Sequence, residues 1–283
     1  MNAETLSGLW YIDELYAGRM RNIILPRIHA GFDPIPSTMR IAAGIPIYDQ
    51  EENFDPVAWT LNKALKAGSD GVAVLSLNGA MSRFGVCGTG GNEFMAQVIE
   101  RANIEPEIKA LVISAHTPGG TVDSTELVAN AIRDSRKKVV GYVNGLCASA
   151  GVFALSQADE MVMENSVSAE IGSIGVLMVY VNQKKAMENE GYEVEIFRAD
   201  GSEDKARLNA YEPLTEELRA EIQQDLNDAR KAFVGYVRRG RAGRLKSDEV
   251  FSAKMYKSKQ ALSLGLVDRL GTLADAIKAA KKS

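Results

Sequence analysis

The chain has few of the residues that staple or metallate small proteins. Its 283 residues include only two cysteines, Cys87 and Cys147, and two histidines, His29 and His116. Two thiols cannot build a disulfide framework or a thiolate zinc site, and such sparing use suits a reducing compartment. A multi-histidine metal centre is excluded, and a Ser-His-Asp triad would have to recruit one of those two imidazoles. An excess of positive charge is also missing. The 33 Lys and Arg stand against 37 Asp and Glu, a net charge of −4, so no global field favours nucleic acid or an anionic membrane. The longest apolar run, Ile171 to Val181, is about half of the roughly 20 residues that a spanning helix needs. The opening stretch MNAETLSGLWYIDELYAG carries Glu4 and Asp13 in place of a basic leader and does not read as a signal peptide. The expectation is a cytoplasmic protein that meets neither membrane nor nucleic acid.

What is present is the composition of a soluble globular protein, 46% hydrophobic and 25% charged. The length is near the upper limit of one hydrophobic core. Residues 1–70 read as an N-terminal extension. It holds an amphipathic helix around Leu6–Leu15, a Pro-interrupted stretch from Pro26 to Pro46, and a helical segment with Val57, Trp59, Leu61 and Leu65. From residue 71 to 283 short β-rich apolar runs alternate with helical ones, which implies an α/β domain with largely buried strands. IGVLMVYVN and Val194–Arg198 read as strands of that domain. A long helix is expected from about Leu214 to Arg239, with Thr215 as N-cap and Glu216 and Glu217 in its first turn. Arg238, Arg239, Arg241 and Arg244 cluster at its end, either as cations set against the negative helix terminus or as an anion site. The tail reads as a helix, a short strand or turn at Leu266 and Val267, and a closing helix.

Two junctions could carry chemistry. Thr117-Pro118-Gly119-Gly120 follows an apolar strand and precedes a helix, and its glycines can leave amide hydrogens uncovered, as an oxyanion hole requires. A plain strand-to-helix turn explains the same residues. Cys147-Ala148-Ser149-Ala150-Gly151 lies between a second apolar strand and a helix. Its serine has open backbone around it, and the amide of Ala150 can face a developing oxyanion, so Ser149 is either a nucleophile or the N-cap of a tightly packed helix. Cys147 is a small buried hydrophobe. A serine nucleophile needs a base. His116 is expected to leave its strand on the face opposite the loop amides, and His29 lies in the extension. The remaining base is a lysine made neutral by removal from water, for which Lys205 in Asp200-Gly201-Ser202-Glu203-Asp204-Lys205 is the best placed. On spacing alone, with Glu203 and Asp204 beside it, Lys205 reads as a surface lysine.

Six blocks in order across residues 70–280 resemble the signal peptide peptidase A family of serine peptidases, in particular its tailed-phage branch, the minor capsid protein C type of head protease. They are GVAVLSLNGAM, TPGG, NGLCASAGVFALSQAD, IGSIGVLMVYVN, FRADGSEDKARLNAYEPLTEELRAEIQ and ALSLGLVDRLGTLADAI. The resemblance implies a Clp protease/crotonase-like superhelix of β-β-α units, with a long C-terminal helix and a mostly helical N-terminal extension. It also implies a Ser-Lys dyad that needs no cofactor and no metal. By position Ser149 matches the nucleophile and Lys205 the general base. Gly120, with Gly119 beside it, and the amide of Ala150 match the oxyanion hole, and Ser173 matches a serine that orients the lysine. The lysine loop departs from the family in reading Ser-Glu-Asp-Lys, where a His or Tyr more often precedes the lysine. The membrane anchor of the cellular enzymes and the long scaffolding extension of some phage ones are absent from this sequence. The implied activity is hydrolysis of peptide bonds in a polypeptide substrate, in the phage case a capsid or scaffold protein, by a homo-oligomer. Two rival readings are a crotonase-type acyl-CoA enzyme, with the same fold and amides, and a catalytically silent capsid component.

Overall fold

Alternation of side chains along buried strands decides how the chain is layered. A computed structural model describes residues 10–12, 54–85 and 90–282. In chain order Trp10–Ile12 forms β1, Pro56–Ala67 α1, Val72–Asn78 β2, Asn92–Ala102 α2, Ala110–Thr117 β3, Gly119–Thr121 β4 and Thr125–Arg133 α3. Lys138–Ala148 (β5), Ala150–Leu155 (α4), Glu160–Met163 (β6), Glu170–Gly172 (β7) and Lys184–Asn189 (α5) follow. The last elements are Glu216–Gly240 (α6), a 3-10 turn at Asp248–Phe251, Met255–Lys257 (β8), Ser258–Leu264 (α7), Arg269–Leu270 (β9) and Leu273–Ala280 (α8).

The main sheet runs β2-β3-β5-β6-β9, and every pairing along that path is parallel. Successive side chains of a strand point to opposite faces. Ala73, Leu75, Leu111, Ile113, Val139 and Val143 therefore face the larger core, where Leu61 of α1, Ile99 of α2 and Ile132 of α3 meet them. Val72, Val74, Ala110, Val112, Val140 and Val162 face the other way, against Ala276, Ala279 and Ala280 of α8. The α/β class and the β-β-α repeat hold: β3 passes into β4 and then α3, and the end of β5 leaves the main sheet to pair with β7, which in turn pairs antiparallel with β8. β4 pairs antiparallel with β1 in a two-stranded sheet of its own.

Helix ends follow the expected capping chemistry. The Asp55 carboxylate accepts from the Val57 and Ala58 amides at 3.0 Å ahead of Pro56, and Thr215 accepts from the Leu218 amide at 3.1 Å. At the far end of α6 Arg238, Arg241 and Arg244 make ion pairs, while Arg239 lies over the Tyr236 ring at 4.4 Å. The fully buried Arg241 holds Asp268 through both carboxylate oxygens at 2.9 and 2.8 Å, and Arg238 meets Asp248 at 2.9 Å.

Three expectations need correction. Residues 10–12 are a strand and not the middle of a helix over Leu6–Leu15, whose remaining residues lie outside those described, as do Pro26–Pro46 and His29. Of the two readings of the tail, Leu266 and Val267 take the turn and are buried in it, and the strand forms at Arg269–Leu270. Neither IGVLMVYVN nor Val194–Arg198 becomes a strand. Apolar alternation yields a strand only where a sheet edge can accept it. Here Val181, Tyr192 and Phe197 stay exposed, Phe197 at 89%.

Candidate active site

β5 delivers Ser149. Its run ends with Cys147 paired to Thr117 and Ala148 paired to Gly172, and the chain then turns sharply into α4. The turn puts Ser149 at φ 52°, ψ −113°, a conformation costly for any residue with a Cβ. Its amide donates to the Gly172 carbonyl at 2.8 Å, which fixes the turn. The hydroxyl caps nothing: Oγ is buried and has no hydrogen-bond partner among the described residues. Ser149 thus occupies the N-cap position of α4, its carbonyl accepting from the Phe153 amide at 3.0 Å, without a side-chain cap bond, and what is left is a strained backbone holding an uncommitted hydroxyl. Gly151 lets the start of α4 settle onto β3, because a Cβ there would collide with the Thr117 methyl. Cys147 is fully buried, and burial pushes its thiol up to about 12, so it stays an inert core residue.

The two glycines of β4 do different work. Thr117 Oγ1 donates to the Gly79 carbonyl at 2.6 Å and accepts from the Gly119 amide at 3.1 Å. Met81 donates its amide to the Gly119 carbonyl at 2.8 Å and accepts from the Thr121 amide at 2.9 Å. Residues 119 and 121 thus present carbonyl and amide to Met81, and the amide and carbonyl of Gly120 point to the opposite edge. A Cβ on Gly120 would collide with the Met81 carbonyl, so the close approach requires glycine. Ala150, the first residue of α4, has an amide with no intrahelical acceptor, as in any first helical turn.

Ser173 follows the residue whose carbonyl holds the Ser149 amide. It is itself at φ 55°, with its amide donating to the Lys254 carbonyl at 2.9 Å. Lys205 stands elsewhere. It is exposed on a polar turn between α5 and α6, its ammonium makes no ion pair among the described residues, and it does not reach the unpartnered Ser149 Oγ. The chain thus gathers Ser149, Ala150, Gly119, Gly120 and Ser173 and leaves Lys205 apart. The lysine turn is nonetheless built. Arg198 donates to the Lys205 carbonyl at 2.6 Å and to the Ala206 carbonyl at 3.0 Å, and grips Glu212 at 3.0 and 2.6 Å. Hydrogen bonds from Arg198 and Asn209 hold the Glu212 carboxyl below its ordinary value. Tyr180 donates to the Asn209 and Glu212 carbonyls at 2.9 and 3.0 Å. Sequence reasoning missed Arg198, Tyr180 and Met81. Only the alternation of Glu193, Glu195 and Arg198 with apolar residues hinted at a surface segment there.

His116 is exposed at the end of β3, with Nδ1 at 2.6 Å from the Asn144 carbonyl. No described residues form a group of three His, Cys, Asp or Glu suited to a metal, and no described helix is long and apolar enough to cross a membrane.

A family model described as peptidase family S49 matches residues 131–283, more than half of the chain. The chain belongs to peptidase family S49. The matched span of this S49 chain includes Ser149, Ser173 and Lys205, while Gly119 and Gly120 precede it. Protease 4 of Salmonella typhi is 27% identical to the S49 chain over 237 residues, covering 80% of this chain and 37% of that protein. Capsid assembly protease C of Escherichia phage lambda is 29% identical over 218 residues, covering 74% and 48%. The chain therefore spans less than half the length of either relative. The structure of a membrane-bound stomatin-specific protease is similar over 75% of this chain and 84% of that one, at 14% identity and a TM-score of 0.48.

Proposed function

We propose that the chain is a serine endopeptidase in which Ser149 is the nucleophile and Lys205 of a neighbouring copy is the general base. The observation that carries the reading is the Ser149 turn: a strained, buried serine whose hydroxyl has no partner among the described residues, beside the glycine strand and the first amide of a helix. Lys205, neutral, takes the hydroxyl proton as Oγ attacks a peptide carbonyl. The amides of Gly120 and Ala150 receive the oxyanion, and Ser173 orients the lysine. The lysine then returns the proton to the leaving amine, and water releases the acyl group. A lysine base must lose its charge, which removal from water promotes. One copy offers Lys205 no such cover. A second copy docked over the segment between β7 and α6 would cover it together with Val181, Tyr192 and Phe197. The homo-oligomer is therefore part of the proposal.

The substrate proposed is a polypeptide of a phage or prophage capsid or scaffold, a reading supported by the likeness to the lambda capsid assembly protease. The test is a fluorophosphonate probe followed by mass spectrometry of capsid and scaffold proteins co-expressed with the enzyme. Ser149 should carry the adduct, and cleavage should vanish in Ser149→Ala. Cleavage by a folded Ser149→Ala protein overturns the assignment.

A further inference from the structure

The outer edge of β4 is already occupied. β1 pairs antiparallel with it in the register Trp10↔Thr121, Tyr11↔Gly120 and Ile12↔Gly119. Met81 takes the amide of Thr121 and the carbonyl of Gly119, so the backbone groups of Gly120 are the ones that face β1. Opposed residues of an antiparallel pair either exchange both hydrogen bonds or make none, alternately along the ladder. Tyr11↔Gly120 must then be the bonded pair: the Gly120 amide donates to the Tyr11 carbonyl, and the Tyr11 amide donates to the Gly120 carbonyl.

From this register we infer that the edge of β4 is a docking site for extended polypeptide, and that residues 10–12 fill it in cis and compete with substrate. The inference rests on the proposed role of the Gly120 amide as oxyanion donor. One N–H cannot serve the Tyr11 carbonyl and a tetrahedral oxyanion at once, so the paired form is closed to catalysis. A peptide added along the same edge would meet the same donors and acceptors through main-chain bonds alone, independent of its side chains. A three-residue strand is short enough to be displaced by one that pairs further.

Proline substitutions in the full chain test this without relying on turnover, in a Ser149→Ala background. Tyr11→Pro removes an amide that donates to β4, whereas the Ile12 amide points away, so Ile12→Pro leaves both bonds of the Tyr11 pair in place. The probe is a fluorescent synthetic peptide with the sequence Ser7–Leu15, read by anisotropy. Tyr11→Pro should bind it about tenfold more tightly than the parent, as expected when the edge is otherwise free in roughly one molecule in ten. Ile12→Pro should bind it like the parent, and the Gly120 amide should exchange with deuterium faster only in Tyr11→Pro. Equal affinity for parent and Tyr11→Pro, or unchanged Gly120 exchange, overturns the inference. With Ser149 restored, fluorophosphonate labelling should also quicken in Tyr11→Pro. Failure of every chain to label would instead refute Ser149 as nucleophile and leave the difference in peptide binding intact.

Discussion

Ser149 concentrates two costs that a purely structural serine would not carry. Its φ of 52° is strained for a residue with a Cβ, and its hydroxyl is buried without a partner among the described residues. An orphaned buried hydroxyl costs about 1–3 kcal/mol. Ser149→Ala removes that cost and keeps the strain, so the variant should melt at or above the temperature of the parent while losing all cleavage. Calorimetry and a peptide-cleavage assay read the two effects separately. A helix cap would behave in the opposite way and lose about 0.5–2 kcal/mol on the same substitution. Lys205 is exposed and pairs with no carboxylate among the described residues, so Lys205→Ala should leave the melting temperature unchanged and abolish cleavage. Lys205→Arg should be equally inactive, because a guanidinium does not deprotonate to act as a base. Restored cleavage in the arginine variant would show that only charge is needed. In the sequence these two residues were legible as chemistry and not as geometry. Nothing in CASAG distinguishes a capped helix from a strained turn, since that depends on the Gly172 carbonyl brought in from a later strand.

At the scale of elements, α6 is tied to the sheet edge by Arg241 and Asp268. The arginine is fully buried and also donates to the Gly265 carbonyl at 3.1 Å, while Asp268 accepts from the Met161 amide at 2.7 Å. Arg241→Ala would leave the partly exposed Asp268 with only Arg244 and the Met161 amide and should cost about 1.5–3 kcal/mol for the lost charged hydrogen bonds, measured by denaturant unfolding. Burial pushes the Asp268 carboxyl up, but hydrogen bonds from Arg241 and the Met161 amide and the charges of Arg241 and Arg244 outweigh it and hold the group below 3.8. A carboxyl depressed on folding stabilises the protein above its unfolded value and loses that contribution as pH falls through the lower folded value. The stability attributable to this pair should therefore be flat from neutral pH to about 4 and decline below it, with a shallower decline in Asp268→Asn. Elements with local causes were legible from the sequence: Asp55 and Pro56 start α1, Thr215 starts α6, and short continuous apolar runs, buried on both faces, mark β2 and β3. The stretches at 174–182 and 194–198 carry an apolar pattern as strong as these, but a strand needs a neighbour to accept its hydrogen bonds, and no local pattern supplies one.

For the whole molecule, the separation of Ser149 from Lys205 turns a question of chemistry into one of assembly. If each site takes its serine from one copy and its lysine from another, a mixture of Ser149→Ala and Lys205→Ala chains should regain part of the parental cleavage, although each is inactive alone. Cleavage per chain should also fall on dilution, followed in parallel by light scattering. Mixed chains that stay inactive while still assembling would place both residues in one copy. From the sequence, assembly is an expectation that rests on the dry site a lysine base needs and on the resemblance, because Lys205 by itself looks like any surface lysine. The order of the elements has a further consequence, in time instead of space. The face of the sheet lined by Val72, Val74, Ala110, Val112, Val140 and Val162 is covered by α8, the last described element. Contacts that close such long loops form late and expose apolar surface until they do. During synthesis that face therefore stays bare from the emergence of β2 until Leu273–Ala280 clears the ribosome.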